Sequence, residues 1–99
     1  MTVRARWNGV VLAESDETRM VEGNHYFPPA SVRQECLAKT RLHTVCPWKG
    51  VASYYTVTVD GVSNKNAAWY YPRPFPLARK IKNYVAFHGD VEIVEMGES

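Results

Sequence analysis

The segment Cys46-Pro47-Trp48-Lys49-Gly50 combines residue types that could carry out chemistry. A cysteine reacts as its thiolate, and a nearby cation favours that form. Lys49 is close in sequence and His43 lies upstream, so Cys46 is a candidate catalytic nucleophile or redox centre. On an extended strand, however, His43 and Cys46 point to opposite faces. The alternative, which we favour, is that Cys46 packs as a small apolar residue at a strand end.

The cysteines and histidines lack the spacing of a metal site. Structural zinc sites take four ligands, commonly in closely spaced pairs such as Cys-x-x-Cys. Cys36 and Cys46 are far apart, and His25, His43 and His88 are scattered along the chain. We therefore predict no metal and no cofactor. The sequence also lacks a Gly-rich phosphate loop and a serine nucleophile elbow.

Large aromatic residues are frequent for a chain of 99 residues, which has 3 Trp, 6 Tyr and 3 Phe. Tyr and Trp combine an apolar ring with a polar tip, which suits the wall of a binding cleft. Such walls can enclose a small ligand or a cation. The alternative is that most of these rings fill the core. The residues in question are Trp7, Tyr26, Phe27, Trp48, Tyr54, Trp69 and Tyr71.

Length and charge narrow the class of protein. The 99 residues fit one domain over residues 1–99. A formal net charge of +2 does not require nucleic acid or an anionic membrane as partner, and we predict neither. The start of the chain alternates charged and apolar residues and lacks the apolar run of a signal peptide. We therefore expect a cytoplasmic protein with reduced thiols; the sequence makes no prediction about oligomeric state.

Alternating apolar residues predict a mainly β protein. Asn8-Gly9 favours a tight turn and a hairpin over residues 3–14, and Asp60-Gly61 predicts a second turn. In the strand over residues 51–59, we expect Tyr55, Val57 and Val59 to face the core. Trp69 should then lie beside residues 52–54, so that Cys46 and Trp69 border one site. The other predicted strands cover residues 18–22, 41–46, 67–71, 85–88 and 91–95, with short helices over 31–37 and 77–82.

Several blocks of the chain resemble a bacterial family catalogued as domain of unknown function 427. They are Trp7-Asn8-Gly9, Tyr26-Phe27-Pro28, Cys46–Tyr54, Ala67–Pro72 and Val85-Ala86-Phe87. The resemblance implies a β-tent (Mss4-like) fold, in which two antiparallel sheets meet at an angle, with one or two short helices. Many β-tent proteins bind zinc through paired Cys-x-x-Cys motifs, which are absent from this sequence. The zinc site is therefore not carried over.

The leading hypothesis is a small-molecule-binding domain with an aromatic cleft between two sheets. Trp48, Tyr54, Trp69 and Tyr71 would line the cleft, and Lys49 would contact an anionic group of the ligand. If Lys49 makes no such contact, we expect it on the surface, with its stem covering apolar area. The alternatives are a thiol-dependent enzyme that uses Cys46, and a structural or interaction subunit.

Overall fold

Residues 1–97 are described by a computed structural model in which antiparallel strands dominate. The strands are β1 (Thr2–Trp7), β2 (Val10–Ser15), β3 (Arg19–Val21), β4 (Asn24–Tyr26), β5 (Leu37–Cys46), β6 (Gly50–Val59), β7 (Val62–Tyr70), β8 (Val85–Phe87) and β9 (Glu92–Met96). Short 3-10 helices cover Pro29–Ser31, Gln34–Cys36 and Pro76–Ile81. The predicted mainly β fold with antiparallel sheets is confirmed.

The first sheet has the strand order β2-β1-β9. Its hairpin turns at Asn8 and Gly9, whose φ angles of 50° and 77° are both positive, as the predicted turn requires. Strand β9 pairs with the other side of β1, so the last two strands of the chain belong to different sheets.

The second sheet has the order β5-β6-β7-β8 and includes the longest strands. Strands β6 and β7 turn at Asp60-Gly61 and pair Tyr54 with Trp69. Trp69 therefore lies beside residues 52–54 as predicted, although an irregularity between Tyr55 and Val57 shifts the register beyond the turn. Strand β5 begins earlier than predicted, at Leu37, and contains an irregularity between Lys39 and His43.

A third, two-stranded sheet of β3 and β4 adds to the two sheets that the sequence predicted. Its turn at Glu22-Gly23 again has positive φ angles, 53° and 81°. Beyond β4, Phe27 exchanges two backbone hydrogen bonds with Val85, at 2.8 and 2.9 Å. These bonds attach the two-stranded sheet to the edge strand β8.

Apolar clusters cover both faces of the four-stranded sheet. On one face Val57 and Val59 are buried with Leu12 and Phe87 against the first sheet, as the sequence predicted for the odd-numbered face of β6. The opposite face carries a second cluster around the fully buried Tyr26, which the two-stranded sheet and the Pro76–Ile81 turn cover. The four-stranded sheet is thus the central layer.

The predicted helix over residues 31–37 is wrong. The segment contains two separate 3-10 turns, and the Ser31 hydroxyl donates to the Pro28 carbonyl at 2.7 Å instead of capping a helix. Val32 is extended because it bridges to Ala13, and the Arg33 amide donates to the Leu12 carbonyl. Pairing with β2 therefore overrides the local helix signal.

Within residues 1–97, no helix has the length and apolar character needed to cross a membrane. The β-tent architecture and the single-domain assignment stay predictions.

Candidate functional site

The residues predicted to form a site lie on one face of the four-stranded sheet. Cys46, Tyr54 and Trp69 occupy this face on β5, β6 and β7, and all three pack against the second apolar cluster. Tyr71, directly after β7, is buried in the same cluster. Cys46 and Trp69 therefore lie on the same side of the domain, and that they border one concave site stays a prediction. We call the group Cys46, Trp48, Lys49, Tyr54, Trp69 and Tyr71 the aromatic cluster.

A tight turn carries Trp48 and Lys49 to this face. Gly50 follows with φ of 117°, a conformation that a side chain would strain. A Cβ at Gly50 would also lie 3.3 Å from the Arg73 carbonyl oxygen. The Phe75 amide donates to the Lys49 carbonyl at 2.9 Å. The proline-rich segment 72–76 is thereby fixed against the turn.

Lys49 is buried, with 6% of its surface exposed, so the alternative of a surface lysine is wrong. Its Nζ donates a hydrogen bond to Oε1 of Glu22, which lies in the turn of the two-stranded sheet. The same Nζ lies 5.7 Å from the ring centroid of Trp48 and 5.5 Å from that of Tyr71. The Lys49 cation therefore already has an anion and two aromatic faces as partners.

The pKa values follow from this packing. Burial by itself lowers the pKa of Lys49, but the hydrogen bond to Glu22 and the neighbouring tyrosines outweigh it and raise that pKa. Hydrogen bonds from Lys49 and then Trp48 lower the pKa of Glu22. Burial raises the pKa of Tyr71, which the nearby Lys49 cation partly opposes. Lys49 and Glu22 are consequently both charged at neutral pH.

Hydrogen bonds hold the polar ends of three partly exposed aromatic side chains, those of Trp48, Trp69 and Tyr54. Trp48 Nε1 donates to Glu22 Oε2 at 3.3 Å. Trp69 Nε1 donates to the Tyr26 hydroxyl at 3.1 Å. The two rings pack edge to face, with their centroids 6.1 Å apart.

Tyr54 is held by a hydrogen bond at its polar end as well. The Tyr54 hydroxyl bonds the Thr44 hydroxyl at 3.0 Å. Trp48 is 38% exposed, whereas Tyr54 and Trp69 are half-buried. Three partly accessible aromatic side chains are thus each anchored through their polar end.

Cys46 is a free, half-buried thiol. His43 lies on the opposite face of β5, where its Nδ1 bonds the Ser53 hydroxyl at 3.3 Å. Lys49 bonds Glu22 instead. His43 is therefore not placed to activate Cys46, and the Lys49 ammonium is already paired with a carboxylate. Among the described residues, no three His, Cys, Asp or Glu side chains are grouped closely enough to hold a metal ion.

Two members of the site were not predicted. Tyr26 was recognised as an aromatic residue, but nothing in the sequence linked it to Trp69. Glu22 sits in a turn, where a solvated charge is the ordinary expectation. Its partner Lys49 is remote in the chain, and only the docking of the two-stranded sheet brings them together.

Comparison with known proteins gives a family and no activity. A family model described as domain of unknown function (DUF427) matches residues 1–97. The comparison with curated proteins finds no match. Because the match covers nearly the whole chain, this protein belongs to the domain of unknown function 427 family.

Proposed function

We propose that this protein is a small-molecule-binding domain and that the aromatic cluster is its binding site. The observation that carries the proposal is the anchoring of Trp48, Tyr54 and Trp69, each partly accessible and each held by a hydrogen bond at its polar end. Rings that are fixed before binding lose little conformational entropy when a ligand packs on them. The three rings supply the contacts, and Cys46 borders them.

Lys49 and Tyr71 support the site from inside. The Lys49 cation is satisfied by Glu22 and by the faces of Trp48 and Tyr71. Recruiting it to an anionic ligand would break the Glu22 pair. The ligand that suits these rings is accordingly uncharged and flat, and it binds by stacking and apolar contact.

The thiol-dependent alternative has less support. Its nucleophile would need a base or cation, and the two nearest in sequence, His43 and Lys49, have other partners. Cys46 then serves as a wall of the site.

Native mass spectrometry tests the proposal. The purified protein is incubated with a small-molecule extract of the cells that make it and is compared with its variants Trp48→Ala and Tyr54→Ala. We expect an adduct on the unmodified protein that is strongly reduced in both variants. The matched control is Leu77→Ala, because Leu77 is 83% exposed and lies outside the cluster. No adduct on the unmodified protein, or equal adducts on all four proteins, contradicts the proposal.

A further inference from the structure

The face of the four-stranded sheet that carries His43 has an open depression of about 520 Å³. It lies on the opposite side of β5 and β6 from Cys46 and Tyr54, because neighbouring side chains along a strand alternate between faces. We call it the basic depression. Its lining includes Lys39, His43, Ser53, Tyr70, Arg73 and Phe75.

The charge of the basic depression has one sign. Lys39 and Arg73 contribute cations, and no Asp or Glu lines the depression. Within residues 1–97, neither of these two side chains forms an ion pair. A neighbouring depression shares Arg73 and adds Arg79 and Lys82, again without an acidic residue. This region therefore carries a local excess of positive charge although the net charge of the chain is only +2.

Apolar and hydrogen-bonding groups accompany these cations. Phe75 is 45% exposed and Val51 is 46% exposed, and both line the depression. The Tyr70 ring is fixed because it stacks on Tyr55 with centroids 4.6 Å apart. Ser53 and His43, which also line the depression, are joined by a hydrogen bond between the Ser53 hydroxyl and the His43 ring.

The wall that carries Arg73 and Phe75 is built into the fold. The backbone bond from the Phe75 amide to Lys49 holds it, and Gly50 lets it approach closely. Pro72, Pro74 and Pro76 restrict the φ angles of this segment. The two side chains are therefore presented by a stiffened segment.

We propose that the basic depression is a second binding site, for a small organic anion with an apolar body and a phosphate or carboxylate group. Lys39 and Arg73 contact the anionic group, and Phe75 with Val51 packs on the apolar body. The volume falls within the range of about 300–1,000 Å³ found for small-molecule sites. This site is independent of the aromatic cluster, which lies on the other face and takes an uncharged ligand.

Amide and indole NMR titrations at neutral pH test the site, with phenyl phosphate as probe. We expect saturable shifts at the amides of Val51, Ser53, Arg73 and Phe75. Benzoate tests whether a carboxylate replaces the phosphate. Inorganic phosphate has the anionic group without the ring, and phenol has the ring without the anionic group. We expect both to bind more weakly than phenyl phosphate.

Matched variants locate the contacts. Lys39→Gln and Arg73→Gln each weaken phenyl phosphate about fivefold, which corresponds to about 1 kcal/mol, the upper range for a solvent-facing ion pair. Lys65→Gln removes the same charge from an exposed position on β7 outside the depression and leaves affinity unchanged.

The apolar contact has its own pair of variants. Phe75→Ala removes the preference for phenyl phosphate over inorganic phosphate, whereas Leu77→Ala keeps it. The proposal is overturned if phenyl phosphate gives no saturable shifts, or if Lys65→Gln weakens binding as much as Lys39→Gln. Shifts confined to the Trp48 and Trp69 indoles would overturn it too, because they would place the anion at the aromatic cluster instead.

Discussion

Replacing Lys49 with Met tests the energetic role of the buried cation. Met keeps most of the apolar stem and removes the charge, and Glu22 is half exposed and can regain water. The variant loses one ion pair and the contacts of Nζ with two rings. An ion pair with a solvent-facing partner contributes up to about 1 kcal/mol, and cation–π contacts contribute from about 0.5–1 kcal/mol at exposed sites to about 2 kcal/mol when desolvated, as beside the buried Tyr71. Because the variant no longer desolvates an ammonium, we expect a net loss of about 1 kcal/mol.

Thermal and urea unfolding measure this loss. For a domain of this size, about 1 kcal/mol lowers Tm by about 4–8 °C. Lys65→Met is the control, since Lys65 is exposed on β7, and it should stay within about 0.5 kcal/mol of the unmodified protein. Glu22→Gln should cost more than Lys49→Met, because it leaves the buried ammonium without its carboxylate.

The double variant with Lys49→Met and Glu22→Gln completes a cycle that isolates the pair. We expect the two substitutions to be clearly non-additive. Unchanged or increased stability of Lys49→Met, together with additive effects in the cycle, would refute the reasoning.

The difference in unfolding free energy between the unmodified protein and Lys49→Met should change with pH in a defined direction. The pKa of Glu22 is lowered from its ordinary 4.5 on folding, so its contribution is complete above that value and is lost as pH falls through the folded pKa. The pKa of Lys49 is raised from 10.5, so its contribution is complete below that value and is lost only at higher pH. The stability difference between the protein and Lys49→Met should therefore be constant near neutral pH and shrink below pH 4.5.

Three further substitutions are predicted. Gly50→Ala should cost about 1–3 kcal/mol in urea unfolding, because φ is 117° and the new Cβ meets the Arg73 carbonyl oxygen; stability equal to that of the unmodified protein would contradict this. Tyr26→Phe should cost about 1–2 kcal/mol by the same measurement, since it removes the acceptor of the Trp69 indole. Cys46→Ser should stay within about 1 kcal/mol and keep ligand affinity, whereas loss of a measurable turnover would restore the thiol-enzyme alternative.

Local features of the fold could be predicted because they depend on neighbouring residues. Asn8-Gly9 and Asp60-Gly61 fix two hairpins through residues that tolerate positive φ. The second turn also places Trp69 beside residues 52–54 and on the same face as Cys46, although the irregularity between Tyr55 and Val57 decides that its partner is Tyr54.

Features that depend on distant contacts could not be predicted. The helix signal over residues 31–37 was overridden by the bridge from Val32 to β2. The burial of Lys49 follows from its pairing with Glu22, which belongs to a separate sheet. The basic depression was missed because its cations come from β5 and from the proline-rich segment 72–76, which only the folded chain brings together.

The central claim is that the aromatic cluster binds a small molecule, and the three tryptophan indole signals test it most directly. A library of uncharged, flat fragments is titrated into the protein while the Nε1–H resonances of Trp7, Trp48 and Trp69 are followed by NMR. The account predicts fragments that shift Trp48 and Trp69 saturably and leave Trp7, which packs against the other apolar cluster, unchanged. Fragments that shift only Trp7, or a library in which none shifts Trp48 and Trp69, would contradict it.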